Sequence, residues 1–168
     1  VVAVEGTEAD FLDNSADPGI GIDWIDESFV PGPEWQTGVY GFGYDTRTAP
    51  PSAHDLISTY VPDFTRSVYT RVTFTVDDAA AVRNVYIGAD YDDGVAAWIN
   101  GVEVYRSSQM PGGDPQWDTP VNLHESSNGS EPDYSPVIDI SAVGVPLLNP
   151  GNNLVAIGVW NSDPANSD

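Results

Sequence analysis

Three aspartates at positions 90, 92 and 93 are the first candidates for chemistry in this sequence. Asp90 and Asp92 have the i, i+2 spacing of calcium loops, but the glycine position and the distal glutamate of an EF-hand are absent. A glycosidase pair would need a second wall to hold a sugar between its carboxyl groups, which adjacent turn residues do not provide. We interpret Asp92, Asp93 and Gly94 as a turn, with the aspartates accepting backbone N–H groups and the glycine in the left-handed region. Metal ligation stays open as the alternative.

The residues after this turn predict a β-hairpin. Asn100 and Gly101 separate two short apolar runs, "VAAWI" and "VEVY". Asn-Gly supplies the two positive φ angles that a type I′ turn requires, so the two runs are expected to pair as antiparallel strands.

Other segments have the alternation or the continuous apolar character of strands. In "VYTRVTFTV" apolar residues alternate with polar ones, which is typical of a half-buried strand. "NNLVAIGVW" is apolar on both faces, as in a central strand. We predict about eight or nine antiparallel strands in a β-sandwich, including those over residues 68–76, 85–89, 136–141 and 152–160. One helical turn is expected at "AHDLIS", and the segments 45–67 and 107–135 are long loops.

The charge excludes some classes of partner. The chain has 26 Asp and Glu against 5 Arg and no Lys, a net charge of −21. A surface this acidic repels nucleic acids and anionic membranes, so we expect neither as a partner. The self-repulsion favours a saline setting, bound Ca²⁺ or both.

Cysteine content and hydropathy add further limits. With no cysteine, the chain contains neither disulfides nor thiolate metal sites. No apolar stretch approaches the length of a membrane span. The start "VVAVEGTEAD" has no signal-peptide pattern, so we interpret the 168 residues as one domain excised from a larger secreted protein.

Four blocks in one order resemble the galactose-binding-like jelly-roll modules of secreted bacterial enzymes and surface proteins. The blocks are Trp35–Asp45, Tyr69–Val76, Asp92–Arg106 and Gly151–Asp168, and the similarity spans about residues 20–168. The resemblance implies an all-β antiparallel sandwich that acts as a carbohydrate-binding accessory domain. It specifies scaffold more than chemistry, and the long polar 107–135 loop departs from the pattern.

Aromatic residues in loops are the candidates for contact with a sugar, because pyranose C–H groups stack on aromatic rings and polar side chains bond the hydroxyls. Trp117 lies in "GGDPQWDTP" without apolar neighbours in sequence, and packing of its loop onto the sandwich is the alternative. Tyr91 and Tyr134 are also in loop or turn contexts. Arg106 follows a predicted strand and either bonds sugar hydroxyls or pairs with Glu103 or Glu125.

Calcium is the predicted cofactor. The resemblance implies a structural ion where the N-terminal segment meets the last strand, with Asp10, Asp13 and Asp17 on one side and Asp163 or Asp168 on the other. Ca²⁺ requires six to eight converging oxygens, so solvated acidic loops are the alternative.

No catalytic motif is present. His54 and His124 stand in no nucleophile elbow or zinc-binding pattern, and no phosphate-binding loop occurs. We therefore expect a non-catalytic module that targets an attached secreted enzyme to polysaccharide. The alternative is a calcium-stabilised structural or adhesion module without a sugar site.

Overall fold

The computed structural model describes residues 2–45, 52–163 and 165. This part of the chain contains ten strands: β1 (Glu8–Asn14), β2 (Gln36–Val39), β3 (Phe42–Gly43), β4 (Thr59–Tyr60), β5 (Ser67–Val76), β6 (Tyr86–Ile87), β7 (Gly94–Ile99), β8 (Val102–Arg106), β9 (Ile138–Asp139) and β10 (Gly151–Trp160). In the same residues, helical structure is limited to α1 (Ser141–Gly144) and to single 3₁₀ turns at Asp23–Ile25, His54–Leu56, Ala79–Ala81 and Val145–Leu147. None of the helices described is long and apolar enough to cross a membrane.

One six-stranded antiparallel sheet organises the molecule, in the order β2-β1-β5-β10-β7-β8. The two ten-residue strands β5 and β10 pair along their whole length, with Ser67 opposite Trp160 at one end and Val76 opposite Gly151 at the other. Every residue of β7 is buried, because this strand has packed layers on both sides. β5, β7 and β10 therefore form the rigid centre of the fold.

One face of this sheet carries a cluster of large aromatic side chains. Trp24 is fully buried at 0% exposure and stacks on Tyr69 with ring centroids 4.2 Å apart. Trp98 and Trp160 complete the cluster, and Met110 packs against it from the loop after β8. We call this side the aromatic face; it is covered by segments from residues 20–35 and 107–122.

Arg71 attaches one of these covering segments to the sheet. It lies in β5 on the aromatic face, is only 7% exposed, and donates hydrogen bonds to the backbone carbonyls of Trp24, Asp26 and Phe29. Its guanidinium also lies 5.3 Å from the centroid of the Phe29 ring. Burial lowers the pKa of Arg71, and the nearby carboxylates oppose that shift. A single side chain therefore satisfies three loop carbonyls.

The opposite face is covered by two small sheets. The parallel pair β3–β4 packs Phe42 over Phe11 and Val68 of the main sheet. The antiparallel pair β6–β9 and the adjoining α1 lie over β7, where Gly144 is close to Val85 and to Ile99. The main sheet and these two small sheets form the two layers of an all-β sandwich, as the sequence predicted. We call this side of the main sheet the cavity face.

The predicted hairpin is confirmed. Asn100 and Gly101 have φ angles of 50° and 81°, as a type I′ turn requires, and β7 pairs with β8 across them. The Asn100 side chain also donates to the Leu147 carbonyl and accepts from the backbone N–H of Leu154. The turn residue therefore also fixes the hairpin to β10.

The prediction for Gly94 is wrong. Gly94 does not have a positive φ; it begins β7 and is buried. A Cβ atom there would lie 2.8 Å from the sulfur of Met110 and 2.8 Å from a methyl group of Val121. The glycine is thus explained by close packing of the 107–122 segment and not by turn geometry.

The predicted strands over residues 68–76, 85–89, 136–141 and 152–160 all contain observed strands, and a helical turn forms at His54–Leu56. Two differences are notable. The described residues contain ten strands instead of eight or nine, and the pair β3–β4 is parallel. β3 and β4 are only two residues long, so no alternation of side chains marks them in the sequence.

Candidate ligand-binding site

A cavity of about 230 Å³ opens on the cavity face, between the two small sheets. Its floor consists of side chains from three strands of the main sheet, among them Val68, Val95 and Ile157. Aromatic residues stand in its wall: Tyr40, Phe42, Tyr44, Tyr91 and Tyr134. The second layer of the sandwich is divided into two small sheets, and the space between them is this cavity. We call it the first cavity.

A second cavity of about 220 Å³ adjoins the first and is more polar. The two share the residues 88–91 and Ser126 in their linings. Tyr105, His124 and Ser127 line only the second cavity, together with the carboxylates of Glu125 and Asp133. The segments 88–91 and 124–127 therefore divide an apolar compartment from a polar one.

Asp90 holds the wall of the second cavity in place. Its Oδ1 accepts the backbone N–H of Ser127 at 2.8 Å, and its Oδ2 accepts the Ser127 hydroxyl and the backbone N–H of Asp133 at 2.9 Å. Asp93, 2% exposed, accepts the backbone N–H groups of His124 at 2.6 Å and Ser162 at 2.7 Å. The sequence predicts that Asp92 and Asp93 accept backbone N–H groups, and this is confirmed for Asp93. The partners of Asp93 are distant in sequence and are not those of a local turn.

Tyr91 and His124 stack on each other in the lining of the second cavity, which also contains Tyr105. Their rings are nearly parallel, at 6°, with centroids 4.3 Å apart. His124 Nδ1 lies 3.1 Å from the Tyr91 carbonyl oxygen, and the Tyr91 hydroxyl donates to Gln109. Burial raises the pKa of Tyr105, and the neighbouring Tyr91 hydroxyl adds to that effect. These contacts present a fixed set of aromatic edges and hydroxyl groups.

Of the four predicted ligand contacts, Tyr91 and Tyr134 line the first cavity. The Tyr134 hydroxyl also accepts the backbone N–H of Glu5 at 3.1 Å. The structure therefore brings these two tyrosines together, although 42 residues separate them in sequence.

Trp117 and Arg106 lie on the other side of the main sheet. Trp117 is partly buried and packs against the aromatic cluster. Arg106 bonds both carboxylate oxygens of Glu103, at 2.8 and 2.6 Å, and the carbonyls of Pro111 and Gly113 at 2.6 and 3.0 Å. These contacts match the alternatives named for both residues, loop packing for Trp117 and pairing with Glu103 for Arg106. Their predicted role as ligand contacts stays a prediction.

Tyr105 and His124 are site residues that the sequence reasoning missed. Tyr105 pairs with Ala97, whereas Arg106 pairs with Ala96, so these adjacent residues of β8 point to opposite faces. The alternation of side chains along a strand was the signal that could have placed Tyr105 on the face of the sheet away from Arg106. Nothing in the sequence around His124 indicates its stacking partner, which lies 33 residues earlier.

Among the described residues, the predicted calcium ligands do not form one group, and calcium binding stays a prediction. Asp10 lies opposite Arg71 in the neighbouring strand, on the aromatic face, and its charge acts to raise the pKa of Arg71. Asp13, three residues along the same strand, accepts a hydrogen bond from Gln36. Residues at i and i+3 of a strand lie on opposite faces. Asp17 accepts the backbone N–H of Gly19, and Asp168 lies outside the described residues. Within residues 2–45, 52–163 and 165, no three acidic or histidine side chains are arranged to hold a metal.

Comparison with known structures finds similarity to parts of bacterial glycosidases. A β-glucuronidase of an uncultured Clostridium species matches 94% of this chain with 17% identity and a TM-score of 0.50, and the match covers 21% of its own chain. A β-glucuronidase from Ruminococcus gnavus in complex with D-glucaro 1,5-lactone matches 93% of this chain with 16% identity and a TM-score of 0.48, over 21% of its own chain. At 17% identity the likeness to the Clostridium enzyme is one of fold alone. The chain spans about a fifth of the length of both enzymes.

Sequence comparisons add no family assignment. No protein-family model matches the chain, and no curated protein matches it.

Proposed function

We propose that this chain is a non-catalytic carbohydrate-binding module of a larger secreted glycosidase, and that it holds the enzyme on its polysaccharide. The observation that carries the proposal is the pair of adjoining cavities: Tyr91 and Tyr134 both line the apolar cavity, and polar groups line the cavity next to it. Flat aromatic faces beside hydroxyl-bonding groups are the chemistry that sugar rings require.

The size of the cavities fits single sugar units. Pockets for drug-sized ligands occupy about 300 to 1,000 Å³. The two cavities here are about 230 and 220 Å³, so each accommodates a smaller group. Two joined compartments of this size suit neighbouring units of an oligosaccharide.

A binding role accounts for the carboxylates better than catalysis does. Asp90 and Asp93 accept four backbone N–H groups between them and thereby fix the loops around the cavities. The likeness to about a fifth of glycosidase chains supports an accessory position beside a catalytic domain. A weak binding module raises the local concentration of its linked enzyme at an insoluble surface, which explains how a non-catalytic domain aids hydrolysis.

The test is a calorimetric titration of the protein with a panel of soluble oligosaccharides, accompanied by pull-down on insoluble polysaccharides. We expect at least one glycan to bind and Tyr134→Ala to weaken that binding about tenfold or more. Tyr86→Ala is the matched control, because Tyr86 is exposed and lines neither cavity.

The same titration distinguishes the two faces of the sheet. Loss of binding in Trp117→Ala or Arg106→Ala, with Tyr134→Ala unchanged, would move the sugar site to the aromatic face. Absence of binding to every glycan would reject the carbohydrate-binding function.

A calcium-stabilised structural or adhesion module is the second candidate. It is favoured by Asn14, which is 1% exposed and whose Oδ1 is buried without a hydrogen-bond partner among the described residues. Asp17 and Asp118 both lie close enough to the adjacent Tyr69 hydroxyl to raise its pKa, after the larger effect of burial. These oxygens are of the type that Ca²⁺ prefers. Chelation that lowers Tm, with no glycan bound, would favour this candidate.

A further inference from the structure

We infer that the second cavity binds a cationic amino sugar, a glucosamine unit with its amine protonated, in preference to neutral or uronic acid units. This inference rests on the proposed carbohydrate-binding function and names the class of sugar. It rests on the carboxylates that line the cavity and on the acceptor positions that their existing hydrogen bonds leave open.

The charges around the second cavity are almost all negative. Asp90, Glu125 and Asp133 contribute carboxylates, and the described lining contains no arginine. In the described lining of the adjoining first cavity, Glu5 and Asp92 stand against one cation, Arg66. A carboxylate-bearing sugar placed here would meet repulsion from several sides, whereas an ammonium group would be attracted.

Two of these carboxylates retain acceptor capacity. Asp133 uses Oδ1 to accept the backbone N–H of Ser135 at 2.9 Å, and Glu125 uses Oε2 to accept from Asn128 at 3.2 Å. An ionised carboxylate has about four lone-pair sites on two oxygens. The Oδ2 of Asp133 and the Oε1 of Glu125 are thus suited to accept from an ammonium group with three donors.

The aromatic residues support a cation in the same place. A protonated amine is attracted to the face of an aromatic ring when it lies within about 6 Å of the centroid. Tyr91 and Tyr105 line the cavity together with the acidic groups, and the stack of Tyr91 on His124 fixes one of these rings. A sugar ring against these aromatics would carry its amine toward the carboxylates.

One buried polar atom has no partner in the wall between the two cavities. Ser126 lines both of them, and its Oγ is buried without a hydrogen-bond partner among the described residues. A buried hydroxyl without a partner is costly, and a ligand hydroxyl or amine that reaches this oxygen from either cavity would supply the missing bond. This observation is independent of the acidic lining and indicates the same location.

The decisive experiment compares three oligomers of equal length by calorimetry: glucosamine, N-acetylglucosamine and galacturonic acid. At about pH 6, where a primary amine is protonated, we expect the glucosamine oligomer to bind at least about tenfold more tightly than the neutral one. The preference should shrink as salt rises from about 0.01 M to 1 M, because screening shortens the range of charge interactions.

Variants separate the local effect from the overall charge of −21. Glu125→Gln with Asp133→Asn removes two charges but keeps oxygens that can accept the bonds from Asn128 and Ser135. Glu27→Gln with Asp77→Asn removes the same charges elsewhere, since neither residue lines a cavity. We expect the first pair of substitutions to remove most of the preference for glucosamine and the second pair to leave it within about twofold.

The outcomes are distinct. Equal or tighter binding of the neutral oligomer would overturn the amino-sugar inference and leave the carbohydrate-binding function intact. Equal loss of preference in both double variants would also overturn it, because the attraction would then come from bulk charge. Binding of none of the three oligomers, nor of any other glycan, would reject the proposed function itself.

Discussion

Asp90 and Ser127 are joined by two hydrogen bonds, one from the Ser127 backbone N–H to Oδ1 at 2.8 Å and one from its hydroxyl to Oδ2. The two residues are 37 positions apart, and the same carboxylate also accepts the backbone N–H of Asp133. One side chain therefore fixes two points of a loop that has no regular secondary structure of its own. The polar cavity exists because this loop is held there.

Asp90→Ala should release the loop over residues 123–135. The substitution leaves two backbone N–H groups and one hydroxyl without their acceptor, and we expect a loss of about 1 to 3 kcal/mol in the free energy of unfolding. Hydrogen exchange should accelerate at the amides of Ser127 and Asp133, because local opening becomes easier.

Asp77→Ala is the control for this experiment. Asp77 follows the last residue of β5, whereas the cavities lie at the other end of that strand, near Ser67. Unchanged exchange at Ser127 in Asp90→Ala, or equal acceleration in Asp77→Ala, would show that Asp90 does not anchor the loop.

The strands could largely be predicted from the sequence because their signals are local. The Asn100-Gly101 turn is specified by the φ angles that these residues adopt readily, and the β5 alternation is visible within ten residues. The loop conformations could not be predicted, because they depend on hydrogen bonds between residues that are distant in sequence. Asp93 is an example. The sequence predicts that its carboxylate caps a local turn, but it accepts the backbone N–H groups of His124 and Ser162.

The dependence on contacts between distant residues also explains which candidate site residues could be predicted and which could not. Tyr91 and Tyr134 were predicted from their loop contexts, and the structure places both at the first cavity. Trp117 was predicted from the absence of apolar neighbours in its own segment, yet its neighbours come from the sheet beneath it. Local composition describes what a residue has beside it in the chain, but burial is decided by what packs over it.

Arg71→Met should destabilise the protein by about 2 to 4 kcal/mol. The methionine fills similar space but leaves the carbonyls of Trp24, Asp26 and Phe29 without their donor. Arg71→Lys should give an intermediate loss, because one ammonium group does not reproduce the planar fork of donors. Urea unfolding measures both, with the exposed Arg83→Met as control. A loss in Arg83→Met as large as in Arg71→Met would contradict this role.

Phe64→Gly should stabilise the protein, although it removes a large side chain. Phe64 has a φ of 69°, in the left-handed region, and its side chain is 63% exposed. The little apolar surface that its ring buries does not offset the free-energy cost of that backbone conformation. That conformation costs about 1 to 2 kcal/mol for a residue with a Cβ, and glycine loses about 0.5 to 1 kcal/mol through the unfolded state. A net gain of up to roughly 1.5 kcal/mol is expected in urea unfolding.

The neighbouring Asp63 provides the matched comparison for this substitution. Asp63 is also exposed but does not have a positive φ, so Asp63→Gly brings the entropic cost without relief of strain. We expect it to destabilise. A loss of stability in Phe64→Gly equal to that in Asp63→Gly would show that the ring of Phe64 makes a contribution that outweighs its backbone.

Alkaline pH should destabilise the fold through Tyr40 at the wall of the first cavity. Burial raises the pKa of Tyr40 to about 12, and its hydrogen bond with Thr70, at 2.8 Å, opposes that shift. In the unfolded chain a tyrosine titrates near about 10, so between about pH 10 and 12 the unfolded state binds fewer protons than the folded state. Stability is therefore complete below about pH 10 and falls as the pH rises toward 12.

Tyr40→Phe isolates this contribution. The variant loses the bond to Thr70, so we expect it to be less stable than the wild type at about pH 8 by roughly 0.5 to 1.5 kcal/mol. Without an ionisable hydroxyl at this position, its stability should then fall less steeply above about pH 10, and the curves of the two proteins should converge or cross. The ionisation of Tyr40 accounts for at most roughly 3 kcal/mol of the stability lost between about pH 10 and 12, since each pKa unit corresponds to about 1.4 kcal/mol. Parallel curves for the two proteins in urea unfolding from about pH 8 to 12 would mean that the Tyr40 hydroxyl is not desolvated in the folded state.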